Sequence, residues 1–386
     1  MRDERQADEI DEVDRLQRAA AADSGVIAMG GGLPSDEQFP RRALAAAFLA
    51  ALGRPGAPAL QYGWPEGAPS LRQRIAHGLR KRALRVGADD VIVTHGAQQA
   101  MALAVDLLCR PGDRVGVDPE TYPAALELFR ARRLLPVPWP PPRARARAAA
   151  RPRVLYLMPA MDNPRGHAAT AAQRRRMLAA RLPIIEDDAY ADLRFDDRPP
   201  PSLAAAARAR VFQVGSFSKT LSPGLRVGWL VPPARFRRRA LRLKQSDDLQ
   251  AASLGQEVLD HYLAHTDFDA RLVRLRRFYR ARARRLVAAL RRHLPGWKVT
   301  VPQGGFAVWV EPPEEGVDER ALLRAAVDTG VSFDPGSLFR PDGARRPLAL
   351  RLCFSATPAP GLEEGVRRLQ RAWLACTRGK AGRRRR

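Results

Sequence analysis

At 386 residues the chain is longer than one hydrophobic core usually supports, and a composition 45% hydrophobic and 28% charged excludes a mostly disordered polymer. Basic residues outnumber acidic ones by 66 to 41, a formal net charge of +25 that raises the question of polyanion partners. Only five of the basic residues are lysines (Lys81, Lys219, Lys244, Lys298 and Lys380), so arginine is the default cation, and each lysine stands out for chemistry that arginine, which does not deprotonate, cannot perform.

Residues 1–25 are polar and are expected to form an N-terminal helix. The start, Met1-Arg2-Asp3-Glu4-Arg5, has no apolar segment behind it of the kind a secretory signal needs. The longest apolar run, 43–52, is too short to cross a bilayer. Strands are expected at 91–95, 114–118, 154–159, 183–187, 211–217 and 226–231, several of them near-continuous apolar runs, as in a buried parallel sheet. Helices near 97–109, 121–132 and 170–181 alternate with them, which predicts an α/β domain with helices on both faces. Residues 136–153, PVPWPPPRARARAAARPR, read as a loop. After Pro232 the pattern turns helical. Apolar residues at 268, 272, 275, 279, 286, 290 and 294 mark one long amphipathic helix with an arginine-rich outer face. It leads into a smaller α+β domain with strands at 297–301, 305–310 and 348–354 and a final helix over 361–376. The tail 378–386 is expected to be disordered. The predicted organisation is a segment 1–55 packing with the small domain, a large domain 56–266, a connecting helix 267–294, the small domain 295–376 and a basic tail 377–386. Cys109, Cys353 and Cys376 lie far apart with no metal-ligand spacing, so a reduced, cytoplasmic protein without disulfides or a metal site is expected.

Three stretches carry chemistry. In Ser216-Phe217-Ser218-Lys219-Thr220-Leu221-Ser222-Pro223-Gly224-Leu225-Arg226, two hydroxyls and an arginine flank a lysine after an apolar strand. That set suits a phosphate monoester held beside a reactive amine, although a lone lysine in such a turn is more often a surface residue. In Ile184-Ile185-Glu186-Asp187-Asp188-Ala189-Tyr190 a buried strand ends in acids. Carboxylates there lie at the carboxyl edge of the sheet, where open α/β folds bind ligands and where one can keep a heterocycle nitrogen protonated; a helix N-cap cluster is the competing reading. In Val93-Thr94-His95-Gly96-Ala97-Gln98 a strand passes through glycine into a helix, whose free N–H groups form an anion site. Most such turns bind nothing.

Together with Asn163-Pro164-Arg165-Gly166 and Tyr122, these stretches resemble the fold-type-I pyridoxal-phosphate aminotransferases of class I and II, in particular the aminoadipate/aromatic branch and the aminotransferase-like half of the MocR regulators. The resemblance runs from Ile27 to Ala375 and rests on GGLP (31–34), LQYGWPEGAPSLR (60–72), THGAQQA (94–100), DPETYP (118–123), DNPRG (162–166), IEDDAYADLRF (185–195), SFSKTLSPGLRVGW (216–229), GGFAVWV (304–310) and LRLCFS (350–355). It implies a large domain with a mostly parallel sheet sandwiched by helices, a smaller α+β domain, and pyridoxal 5′-phosphate as cofactor. By position, Lys219 would carry the cofactor as a Schiff base, and Asp187, three before Tyr190, would pair with its ring nitrogen, with Asp188 the neighbouring alternative. Asn163 and Tyr190 would reach the ring hydroxyl and Tyr122 would stack on the ring. Ala97, Gln98, Ser216, Ser218 and Arg226 would hold the phosphate, with Tyr62 reaching it from a partner subunit. Arg351 would grip the substrate α-carboxylate, with Gly32 and Asn163 in the same pocket, while Ile27 and Leu33 are expected to be packing residues.

The implied activity moves an amino group from an L-amino acid to a 2-oxo acid through pyridoxamine phosphate, in a homodimer with shared active sites. Other reactions at Cα or Cβ, namely elimination, decarboxylation or oxidation in a biosynthetic pathway, use the same lysine and aspartate. Arg351 argues against decarboxylation, since it would hold the group that leaves. A non-enzymatic pyridoxal-phosphate-binding regulator is the alternative from another class, and the short stretch before Ile27 leaves no room for a winged-helix domain. No specific nucleic-acid partner and no membrane are expected. Two departures from the family pattern lie at the pocket mouth, where Asp162 and Arg165 flank Asn163-Pro164 in place of the usual glutamine and threonine.

Overall fold

The computed structural model describes residues 25–141, 151–196, 200–313, 316–345 and 347–381. Apart from Gly25, the expected N-terminal helix lies outside the described residues, as do 142–150 of the Pro/Arg-rich segment and 382–386 of the tail. The strands in chain order are β1 (Ile27–Ala28), β2 (Ile92–Thr94), β3 (Arg114–Val117), β4 (Leu135–Pro138), β5 (Val154–Leu157), β6 (Ile184–Asp187), β7 (Val211–Ser216), β8 (Gly228–Val231), β9 (Lys298–Thr300), β10 (Ala307–Glu311), β11 (Val331–Ser332), β12 (Asp334–Pro335) and β13 (Leu350–Cys353).

Seven of them form the large sheet in the order β2-β8-β7-β6-β5-β3-β4. Only β8 runs against its neighbours, so the other six strands point the same way. Alternate residues of one strand enter opposite cores, as the two-residue period requires. Val154 and Tyr156 pack toward the helices Gly96–Leu108 and Pro123–Ala131, whereas Leu155 and Leu157 pack toward Pro69–Arg80 and Ser253–His265. Both faces are therefore buried, which explains the near-continuous apolar runs.

β4 corrects the expectation of a loop from 136 onward. Among the described residues it pairs with β3 alone, and the N–H groups of Leu135 and, just beyond the strand, Trp139 donate to the Asp113 and Val117 carbonyls. The nitrogens of Pro136 and Pro138 thus face away from the ladder, the arrangement that lets proline sit on an edge strand.

The long helix runs Phe268–His293, and Leu272, Leu275, Tyr279, Leu286 and Leu290 of the expected stripe are buried in it. It shares a core with the second sheet, of order β12-β13-β10-β9, and with the helices Glu319–Asp328 and Ala359–Ala381. The last helix continues through Ala381, past the expected end at 376 and into the stretch read as a disordered tail. β1 pairs with β11, which ties residues 27–28 to the small domain. The helix Arg41–Leu52 does not follow them. Its Ala47 and Ala51 pack with Val258 and Leu259 of the large domain, so the described part of the segment, 25–55, divides between the two cores.

Gly228 shows how tightly the sheet carries what lies above it. A Cβ there would stand 2.5 Å from the carbonyl carbon of Gly96 and 2.7 Å from the oxygen of Gly215, both backbone atoms that cannot swing away. Gly228→Ala must therefore push the start of the helix Gly96–Leu108 off β8. We expect a loss of about 1–3 kcal/mol, the usual cost of overpacking, read as a lower denaturant midpoint; an unchanged midpoint would show that the helix start is free to move.

Candidate active site

Five segments leave the carboxyl edge of the large sheet and converge there. β2 ends at Thr94 and turns at His95-Gly96 into the helix Gly96–Leu108. β6 ends at Asp187 and β7 at Ser216, while Tyr122 follows β3 and Asn163 follows β5. This is the crevice in which open α/β sheets bind ligands.

The first part is an anion cradle. Gly96 has φ +74°, and a Cβ on it would meet Arg226 Nη2 at 3.0 Å, so glycine is what allows the guanidinium to lie over the helix start. Arg226 itself adopts the left-handed region at φ 54°, and its Nη2 donates to the His95 carbonyl at 3.2 Å. No side chain caps the first turn, which leaves the N–H groups of Ala97 and Gln98 for a ligand. Across from them the hydroxyls of Ser216 and Ser218 lie 2.8 Å apart, with the Ser218 N–H donating to Ser216 Oγ at 3.0 Å. The five positions expected from the sequence, Ala97, Gln98, Ser216, Ser218 and Arg226, thus lie together in an arrangement that can hold a phosphate monoester.

The second part is Lys219. Its Nζ donates to the Gly32 carbonyl at 3.2 Å and lies 5.4 Å from the Tyr190 ring centroid and 5.8 Å from that of Phe306. Burial pushes its ammonium pKa down. Lys81, Lys244 and Lys298 each donate to a carboxylate, of Asp269, Asp248 and Glu311 respectively. Lys219 has no such hydrogen bond among the described residues; Asp187 acts on its charge without one.

Asp187 is buried at the end of β6. It accepts from Tyr156 Oη at 2.7 Å and from the Ala189 N–H at 3.0 Å, yet burial still raises its pKa. A buried carboxylate in this state is stabilised by a cation brought to it. Asp188, the sequence alternative, is already committed. Arg82 Nη1 lies 2.6 Å from its Oδ2, and Gln213 Nε2 donates to the same oxygen at 3.2 Å. Tyr122 and Tyr190 have their phenol pKa values raised, chiefly by burial, and feel the charges of Asp187 and Arg351.

The third part belongs to the small domain. Arg351, on β13, is buried; its Nη1 donates to Asn163 Oδ1 at 2.8 Å. Gly32, at φ +62°, brings its Cα so close that a Cβ would stand 3.4 Å from Arg351 Nη2. A narrow pocket is lined by Gly32, Asn163, Tyr190, Phe306 and Arg351.

Two expected residues lie elsewhere. Tyr62 is 78% exposed, on a segment held by Ser253 Oγ donating to the Gln61 carbonyl at 2.9 Å, and takes no part in the site of its own chain. Leu33 is 61% exposed rather than packed, because the left-handed turn at Gly31 and Gly32 delivers backbone to the interior instead; Ile27 does pack against the small-domain core. Several supporting residues carried no motif in the sequence. Tyr156 holds Asp187, Arg271 Nε donates to the Thr220 carbonyl at 2.9 Å beside Lys219, and Asp334 pairs with Arg351. An arginine inside the apolar stripe of the long helix was the one available signal, at Arg271. At the mouth, Arg165 is taken up by Glu120 at 2.9 Å and Glu311 at 3.5 Å, and burial raises Asp162 to about 6.

The chain is similar to known proteins over most of its length. The family model for aminotransferase class I and II matches residues 25–369. A 2-aminoadipate transaminase of Thermus thermophilus is 36% identical over 90% of this chain and 90% of its own. Aromatic-amino-acid aminotransferase 1 of Thermococcus litoralis is 32% identical over 90% of this chain and 87% of its own. The crystal structure of LysN, an alpha-aminoadipate aminotransferase from Thermus thermophilus complexed with N-(5′-phosphopyridoxyl)-L-leucine, superposes with a TM-score of 0.84 at 34% identity, covering 94% of this chain and 95% of that one.

The cradle can be tested without any organic ligand. Gly96→Ala strains a left-handed residue and displaces Arg226. Affinity for inorganic phosphate, measured by calorimetry, should fall at least about tenfold. An affinity unchanged within error would remove Arg226 and the helix start from anion binding.

Proposed function

This chain belongs to the class I and II aminotransferase family, and from that premise we propose that it moves an amino group from an L-amino acid to a 2-oxo acid, with pyridoxal 5′-phosphate attached at Lys219. The observation that carries the assignment of Lys219 is a half-buried lysine with no carboxylate hydrogen-bonded to it among the described residues, in the same crevice as an anion cradle and the buried carboxylate of Asp187.

The residues present fit the cofactor. The cradle of Gly96, Ala97, Gln98, Ser216, Ser218 and Arg226 matches a phosphate, and Asp187 matches a protonated ring nitrogen, which supplies the cation its burial calls for. Tyr122 would cover the ring, and Asn163 and Tyr190 would hold its hydroxyl. When bound, the cofactor supplies an aldehyde that takes up the amino group and a ring that stabilises negative charge at Cα. The protein supplies the rest. Released from attachment, Lys219 is an amine whose ammonium form burial disfavours, and it would serve as the general base that moves the Cα proton. Arg351 holds the α-carboxylate and with it the orientation of the Cα–H bond. The rings of Tyr190 and Phe306 lie beside this amine and take up part of its surroundings.

We further infer a homodimer. Leu60, Tyr62 and Trp64 are each at least 70% exposed on one segment, an apolar surface that a second copy would cover, with Tyr62 reaching the partner's cradle. No helix among the described residues is long and apolar enough to cross a membrane, and all three cysteines are free, which supports a cytoplasmic setting.

The test is a donor screen on cofactor-loaded protein, with 2-aminoadipate, aromatic amino acids and leucine against 2-oxoglutarate. At least one donor should convert the bound cofactor to its amine form. Lys219→Ala should lower that conversion by at least about 10²–10⁴-fold, the range for a lost general base. Conversion by the variant at the wild-type rate would exclude Lys219 from the chemistry.

A further inference from the structure

The guanidinium expected to meet the substrate already has a counter-ion. Antiparallel register sets Asp334 of β12 directly opposite Arg351 of β13. Arg351 Nε donates to Asp334 Oδ2 at 2.8 Å, and Nη2 lies 2.7 Å from the same oxygen, so the carboxylate occupies one edge of the fork. Both side chains are buried, at 9% and 4% exposure. The Gly31 N–H donates to Asp334 Oδ1 at 3.0 Å and holds the carboxylate in place. Phe339 covers one face of the guanidinium, its ring centroid 4.7 Å from Cζ. With Nη1 also donating to Asn163, three of the five N–H groups of an arginine are engaged among the described residues, and two remain for a substrate.

Those two N–H groups carry little net charge with them. A substrate carboxylate placed on them meets an arginine that Asp334 already balances, and sets a second negative charge a few ångströms from the first. Short-range attraction and slightly longer-range repulsion then largely offset each other. The two hydrogen bonds survive this cancellation, and the single carbonyl oxygen of a carboxamide can accept both without bringing a charge that must be desolvated.

We propose that Asp334 is a specificity-determining residue that makes the site admit amino donors bearing a neutral α-carboxamide alongside ordinary α-amino acids. The inference rests on the aminotransferase reading and on Arg351 facing the α-carbon substituent. The reaction is unchanged: the amino group leaves Cα, and the product is a 2-oxo amide instead of a 2-oxo acid.

The experiment titrates cofactor-loaded wild type, Asp334→Asn and Asp334→Ser with L-leucine and with L-leucinamide, following the absorption of the bound cofactor. In wild type the two dissociation constants should lie within about tenfold of each other, and in at least one variant the ratio of amide to acid should rise a further tenfold or more, because the unpaired guanidinium then prefers a charged partner. A disturbed fold or a loosened Gly31 loop moves both constants together and leaves their ratio fixed. A wild-type ratio above tenfold, or a ratio that rises less than tenfold in both variants, overturns the inference while the aminotransferase reading stands. A wild type that responds to neither compound overturns the inference, and if no donor of the screen responds either, the functional reading falls with it.

Discussion

The structure is organised around one largely desolvated primary amine to which no carboxylate among the described residues is hydrogen-bonded. Lys219 reaches the carboxyl edge of a sheet whose two faces are both covered by helices, and its Nζ finds a backbone carbonyl and two aromatic rings. An ammonium in that position is destabilised by desolvation, which is what makes the amine available as a nucleophile and base. Each surrounding feature either maintains this condition or uses it. Arg271 reaches from the long helix to fix the Thr220 backbone, and the Gly31-Gly32 turn, tied to the small domain through β1 and β11, provides the carbonyl that Nζ meets.

The two domains divide the recognition of charge. In the proposed reading the large domain takes the phosphate end, with strand-terminal hydroxyls, a helix start and Arg226. The small domain presents Arg351, whose orientation is set by Asp334 on the adjacent strand and by Asn163 from the large domain. The Asn163–Arg351 hydrogen bond is therefore also a contact between the domains, and a change in their relative position would move the guanidinium proposed to meet the substrate. Electrostatics beneath the site is arranged to the same end: Arg82 neutralises Asp188, so that of two adjacent carboxylates only Asp187 is left to attract a cation.

Much of this was legible in the sequence, for identifiable reasons. Strands β5, β6 and β7 are buried on both faces and so announce themselves as apolar runs, and the long helix shows its stripe because one side faces solvent. The Ser-Phe-Ser-Lys stretch and the Asp187–Tyr190 pair are local patterns, read from consecutive residues. What was hidden depends on distance in the chain. β4 is masked by prolines that only an edge position tolerates. The helices Arg41–Leu52 and Pro69–Arg80 have no β-rich neighbours to frame them. Asp334 and Tyr156 act through partners 17 and 31 residues away, and no spacing rule connects an acid in a two-residue strand to an arginine in the next one. Leu33 was misjudged because its apolar side chain follows two left-handed glycines that turn it outward.

The central claim is that Lys219, and no other lysine, carries the cofactor. Borohydride reduction of the cofactor-loaded protein, followed by proteolysis and peptide mapping, tests it most directly, since reduction fixes the cofactor to whichever amine holds it. The account predicts a single labelled peptide containing Lys219. Label on the peptide of Lys81, Lys244, Lys298 or Lys380, or no covalent label at all, would contradict it.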